Sequence, residues 1–286
     1  MTIHALRTMQ SRGFTLIAGL SLMIGFAAIG RVGAAQAQQQ NPAPAKSGAP
    51  TLQPAAPGAA GAPTAKLDPM EEAAYKAFFV TDAQDADKKI QLGEGFVQKY
   101  PTSRYDESVY ATLVQAYLAK QDWDKFYATA DKALALNPDD ASVLTTVGWV
   151  IPHTYNANDL NAQKNLDKAE TYEKHSIEVV GTMAKPANMT DDQFATSKAE
   201  DLAEAHSGLG LVYFRRQQFD ESAKELKQAV AASAHPDPTD YYILGVDLQN
   251  LKNNAEAADA FDHCAQTAGG LQPECKKRAD AARQAK

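Results

Sequence analysis

The chain has 286 residues, carries 28 Lys and Arg against 35 Asp and Glu, and has a formal net charge of −7 at pH 7. Its basic residues are scattered and nowhere alternate with aromatic ones, which argues against nucleic acid or an anionic membrane surface as a partner. The length allows one or two domains.

Residues 1–37 begin with Arg7 and Arg12, continue as the apolar run FTLIAGLSLMIGFAAIG from Phe14 to Gly30, and end in the small-residue pattern Ala35–Ala37. A basic start, an apolar centre and an Ala-x-Ala end have the order of a cleavable secretory signal. The same run of 17 residues is also just long enough for an uncleaved N-terminal anchor. Arg31 on its far side weakens any charge bias across the membrane. No cysteine follows the run, which excludes a lipoprotein signal. Export is expected in either case, to the periplasm or to the periplasmic face of the inner membrane. Without Arg7, Arg12 and Arg31 the charge of −7 becomes −10. Residues 38–66, QQQNPAPAKSGAPTLQPAAPGAAGAPTAK, hold too few bulky apolar side chains to offset chain entropy. They are expected to form a disordered, semi-extended linker.

Residues 67–286 are long enough to bury a substantial core and read as successive helices. Asp68 is placed as an N-cap, with Pro69 at the first helical position of DPMEEAAYKAFFV. IQLGEGFVQKYPTSRY then supplies the second helix of a degenerate pair, residues 69–104. In Asp106–Asp140, Tyr110, Leu113 and Tyr117 recur at i, i+3 and i+7 on a first helix. Trp123 opens a second helix, Ala130, Ala133 and Leu134 form its inner face, and Pro138 ends it. A third pair starts with Leu144, Val147, Gly148 and Ile151, and Pro152 is expected to stop its first helix. After the loop HTYNANDLNAQ, Leu166, Ala169, Tyr172 and Ile177 recur at helical spacing. A second break, GTMAKPANMT, leads to the capping box TDDQ at Thr190–Gln193, which opens a long helix. Gly210, Tyr213, Phe219, Ala223, Leu226 and Ala229 mark the next pair. In the one after it, Leu244, Gly245 and Leu248 answer Ala257, Phe261 and Cys264 across a turn at Asn253-Asn254. The segment PECKKRADAARQA, residues 273–285, is polar on most sides and suits a capping helix.

Leu113 to Val147 spans 34 residues and Leu209 to Leu244 spans 35, whereas Val147 to Leu209 spans 62, one period plus 28. Insertions at 152–163 and 181–190 are expected to take up the excess. A period near 34 written as two amphipathic helices resembles the tetratricopeptide repeat. The resemblance is strongest over Asp106–Asp140 and Leu209–Ala265; it marks clear repeats at 107–140, 203–236 and 238–270 and an interrupted one at 141–180. Val114 and Phe126 depart from the family's pattern by being bulkier. The Phe-x-x-Lys-Tyr-Pro-x-Ser-x-Tyr segment at 96–105 is similar to repeats of bacterial envelope-assembly proteins. The resemblance implies an all-α fold, a right-handed superhelix of stacked antiparallel helix pairs. Its first helices would line a concave groove that takes a peptide or a partner helix.

Carrying the family's groove-facing offsets onto this chain gives Gln115, Thr145, Trp149, Leu211, Phe214, Arg215, Tyr242, Val246 and Gln249. Several are apolar, and clusters of that kind mark interaction surfaces, with aromatics and Arg as anchors. Alternatively the 152–163 insertion or the C-terminal helix folds over these side chains and makes them core. The family's clamp for a terminal carboxylate is absent: the comparable positions carry Ala111, Gln115, Thr146, Glu204 and Gly208.

No phosphate loop, nucleophile elbow, H-E-x-x-H or calcium-loop pattern occurs. The histidines are unpaired at i, i+3 or i, i+4; His206 reads as a packed, hydrogen-bonded core residue, and His153 with Tyr155 offers the one place for a small polar site. No enzyme activity, cofactor or metal is therefore expected, and a membrane contact only if the N-terminal run stays uncleaved. Cys264 and Cys275 either pair in an oxidising compartment, tying the cap to the last repeat, or remain a buried small residue and a free thiol. The expected role is an interaction scaffold of the cell envelope, or alternatively a stoichiometric subunit of an envelope assembly, secretion or cell-wall machine. The third reading is an enzyme centred on residues 152–163.

Overall fold

Five of the eleven helices among the described residues start at an aspartate side chain. The computed structural model describes residues 68–285; the expected leader at 1–37 and linker at 38–66 lie outside the described residues. The helices are α1 (Pro69–Phe79), α2 (Ala86–Lys99), α3 (Asp106–Lys120), α4 (Trp123–Leu136), α5 (Ala141–His153) and α6 (Ala162–Thr182). After them come α7 (Asp191–Arg215), α8 (Phe219–Ala232), α9 (Pro238–Asn250), α10 (Asn254–Gln266) and α11 (Gln272–Gln284). Asp68, Asp85, Asp122, Asp140 and Asp237 each accept a backbone N–H of the first turn, satisfying a donor that the helix itself leaves unpaired. Thr190 and Gln193 complete both bonds of the capping box that opens α7.

The helices divide into two units, residues 68–236 and 237–285. In the first, each helix packs on the next, and first helices also pack on one another, α3 on α5 and α5 on α7. Val109, Leu113, Val114, Phe126, Val143, Val147, Leu166 and Val212 form its core, all nearly or fully buried. The bulky Val114 and Phe126 are each 0% exposed and lie within this core. Gly210 is required by close approach: a Cβ there would sit 2.7 Å from Leu226 Cγ on α8. Ser222 of α8 uses the same proximity to donate to the Gly210 carbonyl at 2.9 Å. At the amino-terminal end, buried Lys89 of α2 donates to the Phe78 and Phe79 carbonyls, satisfying the last turn of α1. In the second unit α9 packs on α10 and α10 on α11.

The repeat recurs in the turns. Gln121, Gln217 and Lys252 follow α3, α7 and α9, and each takes the left-handed conformation with φ of 55°, 62° and 61°. Each turn closes with the bond pair of a Schellman motif, from Asp122 N to Tyr117 O, Gln218 N to Tyr213 O and Asn253 N to Leu248 O.

Three details differ from the expectation. Pro152 does not stop α5 ahead of itself; it lies in the last turn, where the missing N–H costs one bond of a helix that is ending anyway. The excess over one period is only partly loop. It also lengthens helices, with α6 at 21 residues and α7 at 25 against 14 in α4 and 15 in α3. The buried stripe of α6 is Leu166, Ala169, Glu173, Ser176 and Val180, whereas Tyr172 and Ile177 are half-buried.

Candidate partner-binding surface

The surface is built mainly by α5 and α7 of the first unit. Of the residues assigned to a groove, the structure buries Thr145, Leu211 and Tyr242, 5%, 4% and 6% exposed. These three are interior side chains and offer a partner no free surface. Thr145 shares a hydrogen bond with Ser176 of α6. Gln115 is exposed on α3 and donates through its amide to Thr146 Oγ1 at 2.7 Å.

Trp149 is half-buried and stacks on His153, ring centroids 3.7 Å apart. The His153 Nδ1–H donates to the Trp149 carbonyl at 2.7 Å, which sets the tautomer and the ring orientation. Burial drops the His153 pKa to about 4, so the imidazole is neutral at pH 7. Arg215 of α7 donates from Nε to the Pro152 carbonyl at 2.9 Å and holds its guanidinium 5.6 Å from the Tyr155 ring centre. Burial lowers its pKa to about 10, which leaves it charged. Phe214 is half-buried and meets Phe219 edge-on at 6.4 Å. Trp149, His153, Tyr155 and Arg215 thus form a platform whose aromatic faces are oriented by neighbours before any partner arrives.

In the second unit the Arg278 side chain of α11 reaches the first helix, α9. Arg278 sits 5.3 Å from the Tyr242 ring centre and donates to Gln249 Oε1 at 3.2 Å, and Val246 is half-buried. Cys264 on α10 and Cys275 on α11 are joined by a disulfide, Cα atoms 5.9 Å apart, and both are 0% exposed. His206, the expected core histidine, donates through its Nδ1–H to Glu225 Oε2 of α8 at 2.7 Å.

One group escaped the sequence reading. Glu173 of α6 is 0% exposed, and neither carboxyl oxygen has a hydrogen-bond partner. It fits because two facing helices present glycines: a Cβ on Gly148 of α5 would lie 2.6 Å from Glu173 Cδ, and one on Gly208 of α7 would collide with Oε1. Burial first, and then the charge of Glu204, push its pKa well up. Glu204 and Asp201 lie on the Gly208 side of α7; burial, and then the charge of Glu200, raise the Asp201 pKa to about 6. Glu204 is solvent-exposed. Asp201 Oδ2 is buried without a partner. The signal for Glu173 was its register, seven residues after Leu166 and seven before Val180, on the buried stripe.

Among the described residues no group of three His, Cys, Asp or Glu is arranged to hold a metal ion, and no helix is long and apolar enough to cross a membrane. No family model and no curated protein matches the chain. Solved structures do. PilW, described as a type IV pilus biogenesis factor, is similar at 14% identity over 76% of this chain and 88% of its own, with a TM-score of 0.53. A TPR protein of Thermus thermophilus aligns at 16% identity over 75% of this chain and 99% of its own, TM-score 0.47. Paired helices stacked first on first, Schellman turns repeated after α3, α7 and α9, and the likeness to PilW together give this chain the tetratricopeptide-repeat fold.

Proposed function

We propose that the protein is a non-enzymatic interaction scaffold of the bacterial cell envelope that holds a peptide or helix of a partner protein against the α5–α7 face. The observation that carries this reading is the pre-oriented platform of Trp149, His153 and Arg215, with half-buried Phe214 preceding Arg215 on α7. Aromatic and Arg side chains held in place without a partner bind at low ordering cost, which is the property of interface anchors. The leader-like residues 1–37 support export, and so does the Cys264–Cys275 disulfide, because such bonds persist in oxidising compartments. The likeness to PilW favours the second reading, a stoichiometric subunit of an envelope assembly.

The test uses tagged protein beginning at Gln38, and the same protein with Trp149→Ala and Phe214→Ala, incubated with envelope extract of the native organism. Retained proteins are identified by mass spectrometry, after both forms are shown to share helical signal and melting temperature. A partner held by the wild type and lost by the folded variant is the expected result. Equal retention moves the function off this face. Release only in detergent that dissolves a whole complex distinguishes the stoichiometric reading from the transient one.

A further inference from the structure

The α7 face carries a second feature besides the aromatic platform. Asp201, Glu204, Gly208, Leu211 and Arg215 follow one another at i, i+3, i+7, i+10 and i+14, a single stripe along the helix. Glu204 and Arg215 are eleven residues apart, about 16 Å at 1.5 Å per residue. The stripe is therefore polar in sign, acidic at its start and basic at its end. Beneath Gly208, one turn from Glu204, lies Glu173, fully buried, with both oxygens unpartnered and Oε1 against the Gly208 backbone. Asp201 adds a buried, unpartnered Oδ2 to the same end. Glu200, the next carboxylate, is occupied by Ser233 Oγ at 2.7 Å and the Ala234 N–H at 2.8 Å.

Buried carboxyl oxygens without a partner, such as those of Glu173 and Oδ2 of Asp201, cost stability, and the exposed Glu204 beside them has no lysine or arginine pair among the described residues. Other carboxylates of the same unit do have cations, Glu170 pairing with Arg216 and Lys174, and Glu94 with Lys125. We infer that the acidic end of the α7 stripe, with Glu204 and Asp201 at its surface and Glu173 as its floor, receives a lysine or arginine side chain of the bound partner polypeptide. The inference rests on the proposed scaffold role and adds the chemical class of the partner. The cation supplies a counter-charge to Glu204 and Asp201, which makes the pair worth more than an ordinary surface ion pair. The chain's own net charge of −7 favours encounter with a basic segment. With an extended partner at about 3.3 Å per residue, the cationic residue lies roughly five positions from the residue that meets Arg215.

The experiment selects peptides from a randomised phage-displayed dodecapeptide library on the purified full-length protein. One selected peptide is then titrated by calorimetry against the wild type, Glu204→Gln, Asp201→Asn and Trp149→Ala/Phe214→Ala. Enrichment of Lys or Arg is expected, with at least a tenfold loss of affinity in Glu204→Gln. The same loss is expected when the peptide lysine is replaced by norleucine, with no further loss when both changes are combined. Glu204 is exposed, so its variant keeps its fold; Asp201→Asn supplies a second reading of the same charge. Selected peptides that need Trp149 and Phe214 but carry no cation overturn this inference and leave the scaffold role standing. Failure to select any peptide overturns both. Binding of spermidine alone, with no peptide retained, assigns the cluster to a small polyamine and overturns the polypeptide assignment.

Discussion

Replacing Glu173 by Gln keeps the side chain's size within the cradle of Gly148 and Gly208 but removes its ability to ionise. In the folded protein burial holds the carboxyl protonated well above its ordinary 4.5. The unfolded chain releases that proton once the pH passes the ordinary value. A group whose folded pKa is raised contributes stability fully below the unfolded pKa and loses it as pH rises towards the folded one. While the folded state keeps its proton and the unfolded state has lost it, Glu173 removes about 1.4 kcal/mol of stability per pH unit. Stability of Glu173→Gln relative to wild type is therefore expected to rise by about that amount per unit above pH 5, equivalent to a melting shift of roughly 3–5 °C per unit. Trp123 and Trp149 both lie within residues 68–236, so urea unfolding followed by tryptophan fluorescence reports this unit. Glu204 and Asp201 titrate in both proteins and cancel in the difference unless they couple to residue 173. Parallel stability curves for the two proteins from pH 5 to pH 8 would refute the reasoning, since a carboxylate ionised in the fold adds no slope.

Three further outcomes are expected. Reducing the Cys264–Cys275 bond, which closes a separation of 11 residues, lowers the stability of residues 237–285 by about 3 kcal/mol on the chain-entropy estimate; limited proteolysis with and without reductant measures it. Gly210→Ala forces Leu226 off its packed position and costs about 1–3 kcal/mol in urea unfolding, whereas equal midpoints would show that α7 and α8 separate freely. Arg216 and Lys174 hold the Glu170 pKa down to about 2 despite its burial, so this contact is intact above pH 4.5 and is lost as pH falls towards 2. Arg216→Gln accordingly flattens the acid limb of the stability profile in circular dichroism at pH 2–5.

Helix starts and the period were legible because both are local. Asp68, Asp140 and Thr190 sit where the backbone needs an acceptor, and a cap requires only its own next three residues. Glu173 was not legible. Whether a carboxylate is buried at position 173 depends on two glycines, Gly148 and Gly208, contributed by other helices. Leu211 and Tyr242 fell on the expected face, but their burial depends on what covers that face, and the Arg278 side chain over Tyr242 comes from another helix. The length of α7 was expected from its capping box, but that of α6 was missed because the stretch after Leu166 carries no proline until Pro186 to mark where a helix must end.

The mismatch between α7 and α8 sets where the protein opens first. With 25 residues against 14, α7 outreaches its partner by eleven, about 16 Å of helix. Its first turns are largely solvent-exposed, and Lys198 donating to the Gly181 carbonyl of α6 is an early tether. Amide protons of residues 194–200 therefore exchange through local fraying that leaves the Leu209–Val212 segment closed. The helix melts from one end as a graded protection profile, while its far end, beside Arg215 and the aromatic platform, keeps the lifetime of the whole unit.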